Sequence, residues 1–198
     1  MHLANSPRME AEIPKIARRQ GDEVARIDRQ RFPSELQWLD EHIPARDNVV
    51  LCHGGYQPMC VYGPPAADWE VHGGPGRNLT VSNWSGAVLA DREFDVAFTL
   101  VAFWSAAFFA KHRAERAAIK MIRNTLLNTY MLGYAGYEEL DSERLRFWRA
   151  FHALRGMARL DDAFETKGSP FEAQDRGDLP DDLGPELKRY FQQAAHTL

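Results

Sequence analysis

Cysteine is scarce in this sequence of 198 residues, which contains only Cys52 and Cys60. Two cysteines make neither a disulfide framework nor a zinc site. The seven histidines are scattered along the chain without the close spacing of a metal cluster. Because each thiol lies in a short apolar stretch, both are expected to be small packing residues of a protein in a reducing compartment.

Long hydrophobic runs and blocks of one charge are also lacking. The longest apolar stretch, Val96–Ala110, is interrupted by Thr99 and Ser105, and it is shorter than the roughly twenty residues that a membrane-spanning helix needs. The polar N-terminus has no apolar core of a signal peptide. With 24 basic and 28 acidic residues and no basic block, the chain predicts no nucleic-acid and no membrane partner. We therefore expect a cytoplasmic protein.

The chain does contain enough apolar material for a sizeable core. Hydrophobic residues make up 44% and aromatic residues 11% of the sequence, as in a single globular domain. The polar, proline-broken start predicts an N-terminal arm over residues 1–23. Residues 24–165 are expected to form the main domain, and residues 166–198 an acidic loop and a C-terminal helix packed on that same domain.

Short apolar runs occupy the first half of the chain and helical periodicity the second. Ser34 is a candidate N-cap for a helix that ends before Pro44. The run Val49–Cys52 predicts a buried strand, and Cys60–Tyr62 and Leu79–Val81 predict a hairpin. From Phe94 onward helices are predicted over Val96–Ala110, over Arg113–Tyr134, from an Asp141 or Ser142 cap, and from Pro185. The predicted fold class is α+β and mostly helical, with a small hairpin that carries loops.

The two strands of this hairpin belong to two motifs, LCHGGYQPMCVYG at 51–63 and LTVSNWSGAVLADREFDVA at 79–97. They resemble the active-site motifs of the aminoglycoside phosphotransferase and choline kinase group. There a hydrophobic strand precedes His-Gly-Asp-x-x-Pro-x-Asn, and a later strand ends in Ile-Asp-Trp. The residues that match are His53, Gly54, Pro58 and Trp84. The resemblance covers roughly residues 24–165 and implies the large, C-terminal lobe of a protein-kinase-like fold.

The charged residues of those motifs are replaced in this chain. Gly55 stands at the position of the catalytic Asp, Cys60 at that of the Asn, and Asn83 at that of the metal-binding Asp. A glycine cannot accept the proton of a substrate hydroxyl. Magnesium prefers carboxylate oxygens, whereas a thiol suits zinc or copper. The resemblance therefore implies a remnant of a catalytic loop, and no cofactor is predicted here, although the family uses Mg-ATP.

The resemblance also assigns structural roles. His53 corresponds to a histidine that bonds backbone, and Asp91 and Asp95 correspond to residues that brace the loop after the metal site. Trp84 is expected to pack, and Gln57 to be an ordinary loop residue of the remnant.

The family's β-rich small lobe, with its phosphate-covering loop and lysine, has no counterpart before His53. We therefore expect a truncated member of the family, inactive alone, whose ancestral reaction is ATP-dependent phosphorylation of a small-molecule hydroxyl. A non-catalytic binding or scaffolding module, or one half of a split phosphotransferase, are the alternatives. Without a small lobe, the surface around Phe32, Leu36 and the loop 62–69 should be apolar and exposed. A homodimer or a separate small-lobe partner would cover it.

Overall fold

The structure is a computed structural model that describes residues 30–45, 49–63, 79–110, 112–165 and 183–196. Within those ranges the chain is mostly helical, with two small antiparallel sheets. The helices are α1 (Pro33–Glu41), α2 (Glu93–Ser105), α3 (Arg113–Ala135), α4 (Ser142–Glu165) and α5 (Leu183–His196). The strands are β1 (Val49–Cys52), β2 (Val61–Tyr62), β3 (Thr80–Val81) and β4 (Val88–Asp91).

The sheets are two antiparallel ribbons. β2 pairs with β3, which confirms the predicted hairpin. β1 pairs along its whole length with β4, from Val49 opposite Asp91 to Cys52 opposite Val88. The sequence did not predict β4, because its four residues lead directly into a helix. Val49 and Val50 are exposed and only Cys52 is buried, so the expectation of a fully buried strand is wrong for the first half of β1.

The core lies between the helices. α4 packs against both α2 and α5, and small side chains permit the close approach: Ala150 and Ala153 have no exposed surface. Val96 and Ala97 of α2 are equally buried, as expected for a helix that is apolar on nearly all faces. The C-terminal helix therefore shares a core with the helices before it.

α1 differs from its prediction in two ways. The residue before the helix is Phe32, which makes no side-chain cap, and Pro33 opens the helix. Ser34 lies inside the first turn, where its hydroxyl donates to Glu35 over 2.8 Å. Proline is preorganised for this first position, so the helix begins there without a side-chain cap. Leu36 is buried in the core, which corrects the expectation that it is exposed.

α4 has the cap that the sequence predicted. The carboxylate of Asp141 accepts from the backbone N–H groups of Glu143 and Arg144, over 2.9 and 3.0 Å. α3 starts at Arg113, as predicted, whereas α2 and α5 start slightly earlier than expected, at Glu93 and at Leu183, two residues before Pro185. The N-terminal arm, the insertion between β2 and β3, and the acidic loop lie outside the described residues.

Candidate functional site

The two motif loops lie against each other, backbone to backbone. Gly54 has φ +82°, and a Cβ at that position would come within 1.7 Å of the carbonyl oxygen of Gly86. The ring of His53 connects the same loops, because its Nε2 lies 2.7 Å from the carbonyl oxygen of Ser82. Residues more than twenty-five positions apart are thus joined by a close approach that only glycine permits at position 54.

His53 is buried and has a fixed role in this contact. A carbonyl oxygen only accepts, so Nε2 carries a proton and donates it to Ser82. Within the described part of the chain, Nδ1 has no hydrogen-bond partner. The ring packs against Trp84, with centroids 4.8 Å apart. Trp84 donates from Nε1 to the carbonyl oxygen of Val81 over 3.0 Å and stays 45% exposed.

The carboxylate of Asp95, in α2, accepts hydrogen bonds from the backbone of the first loop. Its Oδ2 accepts from the backbone N–H of His53 over 2.5 Å, and its Oδ1 accepts from that of Gly54 over 2.8 Å. Burial raises the pKa of this carboxyl above its ordinary value, while the two N–H donors act in the opposite direction. Since both oxygens are engaged by backbone, Asp95 positions the loop rather than presenting a free base.

Thr99 and Tyr130 complete this support, and sequence reasoning missed both. The Thr99 hydroxyl lies 2.8 Å from the carbonyl oxygen of Tyr56 and 3.0 Å from that of Asp95. Burial raises the pKa of Tyr130 to about 12, and a hydrogen bond with Thr99 opposes that rise. A buried polar residue within an apolar helix needs a hydrogen-bond partner. Thr99 in the apolar run 96–110 was therefore the sequence signal for a contact between this helix and another segment.

Cys60 ends the loop and faces inward. Its thiol is buried, and its Sγ lies 3.7 Å from the carbonyl oxygen of Gly55. Its backbone N–H donates to the carbonyl oxygen of Gln57 over 2.9 Å, which closes the 3₁₀ turn Pro58–Cys60. Gln57 is half-buried. Cys60 therefore directs its thiol into the turn.

Positions 55 and 83 carry no acid. A Cβ at Gly55 would meet only Phe98, at 3.9 Å, so a methyl group would fit there. Asn83 adopts the left-handed conformation with φ 64°, which Asn and Asp tolerate better than most residues. Its Oδ1 accepts from the hydroxyl of Ser85 over 2.9 Å. The backbone conformation at both positions is compatible with an aspartate.

Asp91 lies apart from this group of residues. Its Oδ1 accepts from the guanidinium of Arg144 over 2.8 Å, and its Oδ2 accepts from Nε1 of Trp148 over 2.9 Å. Its carbonyl oxygen accepts from the thiol of Cys52 over 3.2 Å. Burial raises the pKa of that thiol well above its ordinary value, so it remains a protonated donor. Asp91 thereby ties β4 to α4, whereas Asp95 ties α2 to the loop.

Among the described residues, no three His, Cys, Asp or Glu side chains come together in a way that could hold a metal ion. The same part of the chain contains no helix long and apolar enough to cross a membrane. Comparison with family models, with curated proteins and with solved structures finds no match for this chain.

Proposed function

We propose that this chain is the large-lobe part of an aminoglycoside phosphotransferase-like protein, whose ancestral reaction is ATP-dependent phosphorylation of a small-molecule hydroxyl. We further propose that its own site is not catalytic. The observation that carries this proposal is the contrast between a retained loop framework and missing acids. Gly54, His53 and Asp95 hold the motif loops together, while Gly55 and Asn83 bring no carboxylate to them.

Without the two carboxylates, the site has neither a general base nor an acidic ligand for magnesium. Phosphoryl transfer depends on positioning and on neutralising charge with magnesium, and removing a general base slows a reaction typically by 10²–10⁴-fold. Asp95 cannot replace the base, because backbone N–H groups occupy both of its oxygens. Cys60 cannot replace a ligand, since its thiol is buried in the turn. The alternative function, binding of a small molecule without transforming it, would need none of these acids.

Restoring the acids tests this proposal. The variant Gly55→Asp/Asn83→Asp adds two carboxylates at positions whose backbone conformation is compatible with an aspartate, and adding Cys60→Asn completes the family pattern. We expect the variants to gain weak Mg²⁺ affinity that the wild type lacks, measured by calorimetric titration. Without the cation, repulsion between the new carboxylates should lower the melting temperature modestly, and Mg²⁺ should restore it.

The matched control is Gly55→Asn, which adds the same volume without charge and should gain no Mg²⁺ affinity. Phosphotransfer to aminoglycosides, choline-like alcohols or hydroxyacyl thioesters should stay undetectable in all variants, because the restored acids do not supply the lysine and loop with which the family grips the phosphates. Turnover of ATP by the restored variant, or Mg²⁺ binding equal in wild type and variant, would contradict the proposal.

A further inference from the structure

α3 packs on the rest of the protein more loosely than the other helices that the structure describes. It has 23 residues, and none of them is buried. By contrast, eight of the 13 residues of α2 and six of the 14 residues of α5 are buried. Even Ile119 and Leu127, which lie on the same side of the helix as Arg123, are only half-buried. Because buried apolar surface supplies most of the stability of a fold, little free energy holds α3 in place.

Polar side chains attach α3 to α2 and, through α2, to the first motif loop. The guanidinium of Arg123 donates to the carbonyl oxygen of Trp104 over 3.5 Å and lies 5.8 Å from the centre of its ring. The hydroxyl of Tyr130 is hydrogen-bonded with Thr99, and Thr99 donates to the carbonyl oxygen of Tyr56 over 2.8 Å. We call the hydrogen bonds that join Tyr130, Thr99 and Tyr56 the latch. A change in the position of α3 would break the latch at Tyr130.

Both ends of α3 favour its release. A 3₁₀ turn, Ala106–Phe109, separates it from α2, so the two helices are not one continuous rod. Gly133 lies in its last turn, where a Cβ would meet nothing within 4 Å and the backbone does not require a glycine. A glycine inside a helix makes it less stable than an alanine does. Since an isolated helix is only marginally stable in water, α3 should unravel once it leaves α2.

We propose that α3 is a gate beside the first motif loop, which opens by releasing the latch while α2, α4 and α5 stay folded. Proteins open in cooperative segments whose free energies range from near zero to that of global unfolding, and loose packing places α3 at the low end. The described hydrophobic core contains no residue of α3, so it survives the opening. The open form uncovers Thr99 and the part of the loop at Tyr56. The proposal concerns access to the candidate site and does not depend on the phosphotransferase proposal.

Native-state hydrogen exchange of the full chain, resolved for single amides, tests the opening. The protection factors of the α3 amides should be at least about tenfold lower than those of residues 150–154 in α4. Low concentrations of urea should hardly change them, because a local opening exposes little surface. The amides of His53 and Gly54, which donate to Asp95, should be better protected than those of α3. Protection of α3 equal to that of α4 would overturn the proposal, and so would loop amides that exchange together with α3.

Two substitutions with opposite effects test the latch and the helix end. Tyr130→Phe removes the hydroxyl that bonds Thr99, so the α3 amides should exchange about twofold to tenfold faster, the effect of one hydrogen bond. The equilibrium constant for global unfolding should rise by the same factor, because the bond is absent from both the open and the unfolded state. Gly133→Ala should slow exchange in α3 by about twofold to fivefold.

The matched control for the latch is Tyr137→Phe, which alters a tyrosine that is 93% exposed just beyond α3. This variant should change neither the exchange of α3 nor the global stability. If Tyr130→Phe lowered the global stability but left exchange in α3 unchanged, the opening would not break the latch, and the proposed gate would be wrong. Exchange in α3 that responds to neither Tyr130→Phe nor Gly133→Ala would equally overturn it.

Discussion

Single residues fix the geometry of the motif loops, and Gly54 is the clearest case. Ala at this position would place a Cβ 1.7 Å from the carbonyl oxygen of Gly86, at a φ of +82° that side chains rarely adopt. We predict that Gly54→Ala lowers the free energy of unfolding by about 3 kcal/mol or more. Urea denaturation followed by circular dichroism would measure the loss.

Two other glycines are matched controls for that loss. Gly55→Ala meets only Phe98 at 3.9 Å, and Gly133→Ala in α3 meets nothing within 4 Å. Gly55→Ala should be nearly neutral, and Gly133→Ala should stabilise the protein by up to about 1 kcal/mol through helix propensity. A loss at Gly54 no larger than that at Gly55 would show that the two loops do not touch.

Because the pKa of Asp95 differs from its ordinary value, the free energy of unfolding depends on pH, and the sign of this dependence can be derived. Its pKa is raised by burial, so between its ordinary value and the raised one the folded state binds more protons than the unfolded state. The contribution of this group to stability therefore increases as pH falls through the raised pKa and decreases as pH rises. Relative to Asp95→Asn, the wild type should gain stability as the pH falls from neutral toward the ordinary pKa of an aspartate.

Urea denaturation of both proteins across that range measures the difference. At neutral pH the Asn variant should also be less stable, by about 1–3 kcal/mol, because its amide NH₂ cannot accept from both backbone N–H groups. A stability difference that stays constant with pH would contradict the raised pKa.

At the scale of elements, the sequence predicted side-chain caps for two helices, and only one of the two caps is present in the structure. Asp141 accepts from two backbone N–H groups at the start of α4, whereas Ser34 makes no cap at the start of α1. We predict that Asp141→Ala destabilises the protein by about 1 kcal/mol. Ser34→Ala should change the stability by less than about 0.5 kcal/mol. Thermal denaturation of the two variants measures this, and equal effects would contradict the assignment of the caps.

Periodicity predicted α3, α4 and α5, which carry apolar residues at helical spacing, and the long apolar run predicted α2. Its limits appear where local and tertiary preferences compete. A proline at the first position allowed α1 to begin without the Ser34 cap. β4 was missed because its four residues need the distant partner β1 to become a strand. A short stretch of sequence contains no information about the pairing of Val49 with Asp91. The burial of Leu36 likewise depends on residues that are distant in the sequence.

At the scale of the whole molecule, motif resemblance selected the loop residues and only one of their supports. It selected His53, Gly55, Cys60 and Asn83, whose two loops lie together in the structure, and Asp95 of α2, which hydrogen-bonds the first loop. It did not select Gly86, Thr99 or Tyr130, since their roles arise from contacts across more than thirty residues. It also grouped Asp91 with Asp95, although Asp91 binds Arg144 and Trp148 of α4.

We propose that this chain keeps the framework of a phosphotransferase site without its ability to hold Mg-ATP. A thermal-shift titration of the wild type with Mg-ATP, repeated with ATP and EDTA, tests it most directly. A ligand at a hundred times its dissociation constant raises the free energy of unfolding by about 2.7 kcal/mol. We predict no shift of the melting temperature at millimolar Mg-ATP. A clear, saturable increase that EDTA abolishes would show that the site binds the nucleotide and would contradict the claim.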